Sequence, residues 1–215
     1  MPCPYGNGMN CDKAKHHRRS LRLPQYDYSC SGMYFVTLCV HDRISLLGDI
    51  REGKMALSAE GAMVQDAWKA IPAICDAAKL DTFVIMPNHL HGIIILHRGE
   101  MGFGIRPDVN DDLAEDAEVK KPTLGDVIRR FKSYTANRFR KESASLPDAR
   151  LWQRSYYEHI VRDGIALKRI REYIENNVLR WHLDRENNDR TGIDPFDEWL
   201  QSYCRGEAPS PPDVP

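Results

Sequence analysis

Two short apolar segments separated by a tight turn constrain the fold of this chain most strongly. Residues 82–86 and 90–96 are rich in β-branched and aromatic side chains, and Pro87 and Asn88 stand between them. Side chains of this kind are typical of strands, and a Pro-Asn dipeptide is typical of a turn. We therefore predict an antiparallel hairpin at this point in the chain.

The remaining apolar periodicity predicts two further strands and three helices around this hairpin. The expected strands are residues 34–40 and 151–161, and the expected helices are about 58–74, 123–142 and 166–179. Ser58 and Thr123 offer N-caps, and Pro72 should interrupt the first helix near its end. The order of elements suits an α+β fold, a ferredoxin-like antiparallel sheet with helices packed on one face.

The segments outside these elements lack periodicity. We expect residues 1–27 to be a basic irregular arm, residues 28–185 to be one folded domain, and residues 186–215 to be a C-terminal tail. Within the domain, residues 98–121 are acidic and contain glycine, which predicts a mobile insertion.

Basic residues are concentrated in two segments, although the net charge is only −1. Basic surface confined to particular elements is what contact with phosphates requires, and a solvated helix face is the alternative interpretation. The candidate DNA contacts are Arg18 and Arg19 in the arm and Arg129, Arg130, Lys132 and Arg138 on the second predicted helix. For Lys132 a purely solvated side chain remains an equal alternative.

Composition favours a reduced, cytoplasmic protein that does not contact membranes. No apolar run approaches the length of a membrane span, the N-terminus lacks an apolar signal core, and six cysteines are scattered without a disulfide-framework rhythm. Cys3, Cys11, His16 and His17 are candidate zinc ligands, but their spacing fits no usual zinc motif.

His89, Leu90 and His91 stand at the start of the second strand of the hairpin. Side chains alternate across a strand, so the two imidazoles share one face while Leu90 points into the core. Two neighbouring imidazoles form a ready bidentate platform for a metal ion. A structural role for both histidines is the alternative.

Four ordered motifs give this chain a specific resemblance. They are Met86-Pro87-Asn88-His89-Leu90-His91-Gly92, Leu124-Gly125-Asp126 followed by Phe131-Lys132-Ser133, Trp152-Gln153-Arg154-Ser155-Tyr156-Tyr157-Glu158-His159, and Arg171-Glu172-Tyr173-Ile174-Glu175-Asn176-Asn177. Together they resemble the single-tyrosine "His-hydrophobic-His" (HUH) transposases of the IS200/IS605 type, and especially their domesticated relatives, the REP-associated tyrosine transposases. The resemblance covers roughly residues 28–185.

The resemblance implies a nucleophilic tyrosine at Tyr173 and a third metal ligand, beside His89 and His91, at Asn177. Residues four apart lie on the same face of a helix, which agrees with this pairing. The implied ion is Mg²⁺ or Mn²⁺. Tyr156 and Tyr157 compete for the nucleophile role, although their extended context favours packing or base stacking.

The resemblance also implies an activity and a partner. The expected reaction is cleavage and rejoining of single-stranded DNA through a 5′-phosphotyrosine intermediate at hairpins, by a monomer or a homodimer. Arg154 and His159 are further candidate DNA contacts, and His159 could instead satisfy a core hydrogen bond. The alternatives are a hairpin-binding protein without catalysis and a metal hydrolase that uses the histidine pair on a small substrate.

Overall fold

The computed structural model describes residues 31–97, 122–142 and 150–204. In chain order the elements are β1 (Gly32–Cys39), β2 (Gly48–Arg51), β3 (Lys54–Leu57), α1 (Ala59–Lys69), α2 (Ile71–Ile74), β4 (Ala78–Ile85), β5 (His89–Leu96), α3 (Leu124–Glu142), β6 (Tyr157–Val161), α4 (Gly164–Asn176) and α5 (Pro195–Cys204). The predicted basic arm, including Arg18, Arg19 and the candidate zinc ligands, lies outside the described residues, and so does the acidic segment 98–121.

Four antiparallel strands form the central sheet, in the order β4-β5-β1-β6. This is the ferredoxin-like order, and it confirms the predicted α+β fold and the β4–β5 hairpin. The short hairpin of β2 and β3 forms a separate two-stranded sheet, which we did not predict.

Helices cover both faces of the sheet, so the prediction that they pack on one face is wrong. On one face, Tyr34, Val36 and Leu38 pack in a core with Trp68 of α1 and Phe131 of α3. On the other face a second core joins the sheet to α4 and α5; its buried members are Phe35, Ile93, Val161, Ala166, Ile170, Tyr173, Ile174 and Phe196. The two central strands, β5 and β1, are therefore buried on both faces of the sheet.

Local signals in the sequence set several helix ends as predicted. Ser58 Oγ accepts a hydrogen bond from the Gly61 N–H at 2.9 Å, and Thr123 Oγ1 accepts from the Asp126 N–H at 3.2 Å. The first predicted helix is divided into α1 and α2 just before Pro72. No helix in the described ranges is both long enough and apolar enough to cross a bilayer.

The chain after α4 remains part of the packed structure well beyond residue 185. The Trp181 ring stacks on His89, with ring centroids 5.9 Å apart. α5 then returns to the sheet, where Phe196 is buried in the second core. The packed domain thus extends into the predicted C-terminal tail, residues 186–215, because α5 packs in the second core beside α4.

Candidate active site

The two histidines meet at the beginning of β5. His89 and His91 are almost fully buried, and their ring centroids are 4.4 Å apart. Both rings lie on the α4 side of the sheet, as the alternation of side chains along a strand requires. The prediction that they share one face is confirmed.

Helix α4 brings Tyr173 and Asn177 to the same place. The Tyr173 hydroxyl oxygen lies 3.2 Å from His91 Nε2, and the side chains of Tyr173 and Asn177 are both buried. Asn177 is the C-cap of α4 and follows Tyr173 by one helical turn. The structure thus brings together the four side chains that the family resemblance implies.

Asp184 completes the cluster, and sequence reasoning did not identify it. Its Oδ2 lies 3.6 Å from His89 Nε2 and 3.5 Å from His91 Nε2. The same oxygen accepts hydrogen bonds from the Tyr173 hydroxyl at 3.2 Å and from Asn177 Nδ2 at 3.0 Å. His89, His91 and Asp184 form a group whose ligand atoms all lie within 4.8 Å of one another.

Two buried polar atoms at the cluster have no hydrogen-bond partner among the residues that the structure describes. They are His89 Nε2 and Asn177 Oδ1. Buried polar atoms of a stable protein are normally satisfied, so such atoms call for a further partner. Two imidazole nitrogens, a carboxylate and an amide oxygen are donors that Mn²⁺ and Mg²⁺ accept, so the residues fit a divalent cation.

Burial and mutual contact set the protonation of the cluster. Burial lowers the pKa of His89 to about 3, so its imidazole is neutral at physiological pH. Burial alone would raise the pKa of Asp184, but the two histidines and the Glu186 N–H offset this and hold the pKa below its ordinary value. Burial and the Asp184 charge raise the pKa of Tyr173 well above that of a free phenol.

We expect the free energy of unfolding of the metal-free protein to fall as the pH decreases from 6.5 to about 5. The unfolded chain titrates His89 near its ordinary pKa of 6.5, whereas the folded chain does so near 3, so the unfolded state binds the proton first. This residue should therefore remove about 2 kcal/mol of stability by about pH 5. Urea unfolding at the two pH values measures the loss. A His89→Gln variant should lose about 2 kcal/mol less over the same interval; equal losses would contradict the prediction.

Phe196 of α5 covers the ring of the candidate nucleophile. The Phe196 and Tyr173 rings are stacked with centroids 3.9 Å apart and planes 10° apart. A cavity of about 140 Å³ remains beside the cluster, lined in part by Tyr157, Tyr173, Asp184 and Arg185. The Arg185 guanidinium lies 4.8 Å from the Tyr157 ring centroid. The cavity thus borders both Tyr173 and the Asp184 carboxylate.

The competing tyrosines are separated by the structure. Tyr156 packs against the core on the α1 and α3 side of the sheet. Tyr157 is exposed and lines the cavity at the cluster. Tyr157 is therefore the second tyrosine at the site, whereas Tyr156 has a packing role.

The basic residues of α3 do not lie at the cluster. α3 packs on the opposite face of the sheet from Tyr173, and its Arg129 and Arg138 form surface ion pairs with Asp126 and Glu142.

A groove of about 420 Å³ lies between α3 and the chain before β6. It is lined by Lys132, Ser133, Ala136, Asn137, Arg140, Arg150, Leu151, Trp152, Gln153 and Arg154. The Gln153 N–H donates to the Cys39 carbonyl, and Cys39 pairs with His89 across the sheet. The groove therefore lies at the same end of the sheet as the histidines.

Lys132 and His159 have clearer structural roles than the sequence indicated. Lys132 Nζ donates to the carbonyls of Gln153 at 2.5 Å and Ser155 at 3.1 Å, and burial lowers its pKa to about 8. It thus anchors the segment before β6 to α3 rather than standing free in solvent. His159 is buried beside Tyr203, and burial lowers its pKa to about 4.

Comparison with known proteins identifies the family. The sequence model described as "Transposase IS200 like" matches residues 118–177, which include Tyr173 and Asn177. The chain belongs to the IS200-like transposase family. It is 39% identical over 170 residues to an uncharacterized protein of Haemophilus influenzae, covering 79% of this chain and 93% of that protein. A putative REP-associated tyrosine transposase of the same organism is 22% identical over 157 residues, covering 72% of this chain and 74% of that protein.

Two solved structures are similar to this member of the IS200-like transposase family. One is a REP-associated tyrosine transposase bound to a REP hairpin, with 18% identity, a TM-score of 0.47, and coverage of 91% of this chain and 94% of that chain. The other is a putative transposase from Deinococcus radiodurans, with 17% identity, a TM-score of 0.40, and coverage of 72% and 95%.

Proposed function

We propose that this transposase-family chain cleaves and rejoins single-stranded DNA at hairpins, with Tyr173 as the nucleophile. One observation carries the proposal: the Tyr173 hydroxyl lies 3.2 Å from both His91 Nε2 and Asp184 Oδ2, inside a group of potential metal ligands. A packing tyrosine has no need of such neighbours. A phenol held beside a metal centre is suited to nucleotidyl transfer, because a metal ion can activate the nucleophile and stabilise the phosphate.

His89, His91 and Asp184 would hold a Mg²⁺ or Mn²⁺ ion, with Asn177 Oδ1 as a further ligand. A bound divalent ion polarises the scissile phosphate and neutralises the charge that develops in the transition state. The inclusion of Asp184 changes the predicted ligand set, in which Asn177 was the third ligand. Asn177 now has a second role, because its Nδ2 donates to Asp184 and fixes the orientation of the carboxylate.

Tyr173 attacks phosphorus, a bond forms between its oxygen and phosphorus, and the bond from phosphorus to the 3′ oxygen breaks. The proton lost by the phenol balances the proton gained by the released 3′-hydroxyl. Asp184 Oδ2 accepts the hydroxyl hydrogen of Tyr173 and thereby orients the oxygen. Because the phosphotyrosine bond retains the energy of the phosphodiester, rejoining to another 3′ end needs no external energy source.

The proposed substrate follows from the family and from a basic groove at the same end of the sheet as the cluster. A flexible single strand can pass a basic groove and place its backbone against it. Arg140, Arg150 and Arg154 in the groove near Lys132 are candidate phosphate contacts at the same end of the sheet as His89. The hairpin is proposed from the sequence motifs and from the REP-associated relative. A homodimer stays a prediction.

The proposal is tested by incubating the full chain with single-stranded hairpin oligonucleotides from the DNA that flanks its own gene, with and without Mn²⁺. With a 3′-end label we expect the label to migrate with the protein on a denaturing gel, because Tyr173 retains the 5′ phosphate. With a 5′-end label we expect a free, shorter fragment. Binding of the hairpin without any adduct in Mn²⁺ or Mg²⁺ would instead support a catalytically inactive hairpin-binding protein.

A further inference from the structure

We propose that Asn88 is a positioning residue that fixes the tautomer of His89 and thereby directs the lone pair of His89 Nε2 into the ligand cluster. The inference rests on the proposed metal role of His89. It concerns the residue that precedes the histidine pair, in the turn between β4 and β5.

The orientation of the Asn88 amide is fixed by two backbone carbonyls. Asn88 is 1% exposed, and its Nδ2 donates to the carbonyl of Glu186 at 2.8 Å and to that of Arg43 at 3.1 Å. Carbonyl oxygens only accept hydrogen bonds, so the NH₂ group must lie on that side. The amide oxygen Oδ1 then faces His89 Nδ1 at 2.8 Å.

The tautomer of His89 follows from this orientation. An amide oxygen only accepts, so Nδ1 of His89 must carry the hydrogen. In a neutral imidazole the other nitrogen, Nε2, then has a free lone pair. This lone pair faces Asp184 Oδ2 at 3.6 Å, so two acceptors meet without a hydrogen between them. Such an arrangement is suited to a cation that both atoms bind.

The partner of His91 Nδ1 does not fix the tautomer of His91 in the same way. Its Nδ1 lies 2.9 Å from Thr37 Oγ1, and a hydroxyl can either donate or accept. Asn88 has the additional effect of tying the segment that carries Asp184 to the histidine strand, through the Glu186 carbonyl. One buried amide thus orients His89 and secures the position of the carboxylate opposite it.

The first test uses the metal-free wild-type chain. Long-range ¹H–¹⁵N correlation spectra of the protein labelled in its histidines distinguish a ring nitrogen that carries hydrogen from one that does not, and a His89→Gln variant assigns the signals. We expect hydrogen on Nδ1 and a bare Nε2. Hydrogen on Nε2 in the wild-type chain would overturn the proposal without any further variant.

The second test compares Asn88→Ala with Asn188→Ala. Asn188 Nδ2 donates to the same Arg43 carbonyl at 3.4 Å, but its side chain is exposed, whereas the His89 ring hydrogen-bonds to Asn88, so Asn188 is a matched control. In Asn88→Ala we expect the Nε2–H tautomer of His89 to increase, because Nε2 can then donate to Asp184. The affinity for Mn²⁺, measured by titration calorimetry, should fall about 10- to 100-fold. The control should keep the wild-type tautomer and affinity.

Unchanged tautomer populations in a folded Asn88→Ala variant would overturn the positioning role. Failure of the metal proposal has a different signature. A wild-type chain that binds no Mn²⁺ while His89 shows a bare Nε2 contradicts the proposed function and leaves the tautomer assignment intact.

Discussion

Replacing Tyr173 by phenylalanine should lower the yield of covalent protein–DNA adduct by at least about 1,000-fold, because the only atom removed is the proposed nucleophile. The ring fills the same space between Phe35 and Phe196, so the second core should stay intact. The lost hydroxyl leaves His91 and Asp184 without one hydrogen-bond partner, which should cost about 1 kcal/mol of stability. Hairpin binding should therefore persist.

The matched control is Tyr157→Phe, since Tyr157 is the other tyrosine that lines the cavity. This variant should keep the adduct, measured with the 3′-labelled hairpin in Mn²⁺ on a denaturing gel. An adduct that survives Tyr173→Phe and disappears in Tyr157→Phe would move the nucleophile to Tyr157. Metal-dependent hydrolysis that is indifferent to both changes would favour a hydrolase that uses the histidine pair.

The parts of the site that could be predicted from sequence are those fixed by regular local structure. His89 and His91 share a face because strands alternate, and Tyr173 and Asn177 share a face because helices repeat every 3.6 residues. The resemblance to a known family supplied the pairing of the two elements. The structure shows that β5 and α4 place the Tyr173 hydroxyl within hydrogen-bond distance of His91 Nε2.

Asp184 could not be predicted in the same way. It lies in a polar stretch after α4 that has no apolar periodicity, next to the short helical turn Trp181–Leu183. Its position depends on long-range contacts, namely the stacking of Trp181 on His89 and the packing of α5 on the sheet. The sequence does carry a weak signal for α5, because the apolar residues between Phe196 and Tyr203 recur at helical spacing and indicate a helix with one buried face.

The placement of helices on both faces of the sheet also escaped prediction, for a physical reason. Amphipathic periodicity shows which side of a helix is buried, but not against which face of a sheet it packs. The near-continuous apolar run from Tyr34 to Val40 was the available signal, because a strand that alternates poorly is buried on both sides. The same limit explains why the sequence did not predict that the basic α3 lies on the other side of the sheet from Tyr173.

Asp184→Asn should reduce the affinity for Mn²⁺ by at least about 100-fold, more than is usual when only an outer partner of a ligand is lost. Asparagine keeps the shape of the side chain but removes the negative charge that faces His89 Nε2 and His91 Nε2 at 3.6 and 3.5 Å. The loss of charge at the centre of the ligand group is the reason for the large effect. Adduct formation should fall in parallel at Mn²⁺ concentrations that saturate the wild-type chain.

Asp194→Asn is the control for this change. Asp194 is also a buried carboxylate in the same part of the chain, but it accepts from the Phe196 N–H and pairs with Arg180 rather than with the histidines. The Asp194→Asn variant should be less stable than the wild-type chain but should keep its Mn²⁺ affinity. Titration calorimetry measures the affinity, and urea unfolding shows that the variant is folded under the same conditions.

The opposite outcome would be an Asp184→Asn variant with wild-type Mn²⁺ affinity and an Asn177→Ala variant with a large loss of Mn²⁺ affinity. That result would make Asn177 the third ligand. Asp184 would then act only on the phenol, where burial and its own negative charge raise the pKa of Tyr173 and its Oδ2 accepts the hydroxyl hydrogen.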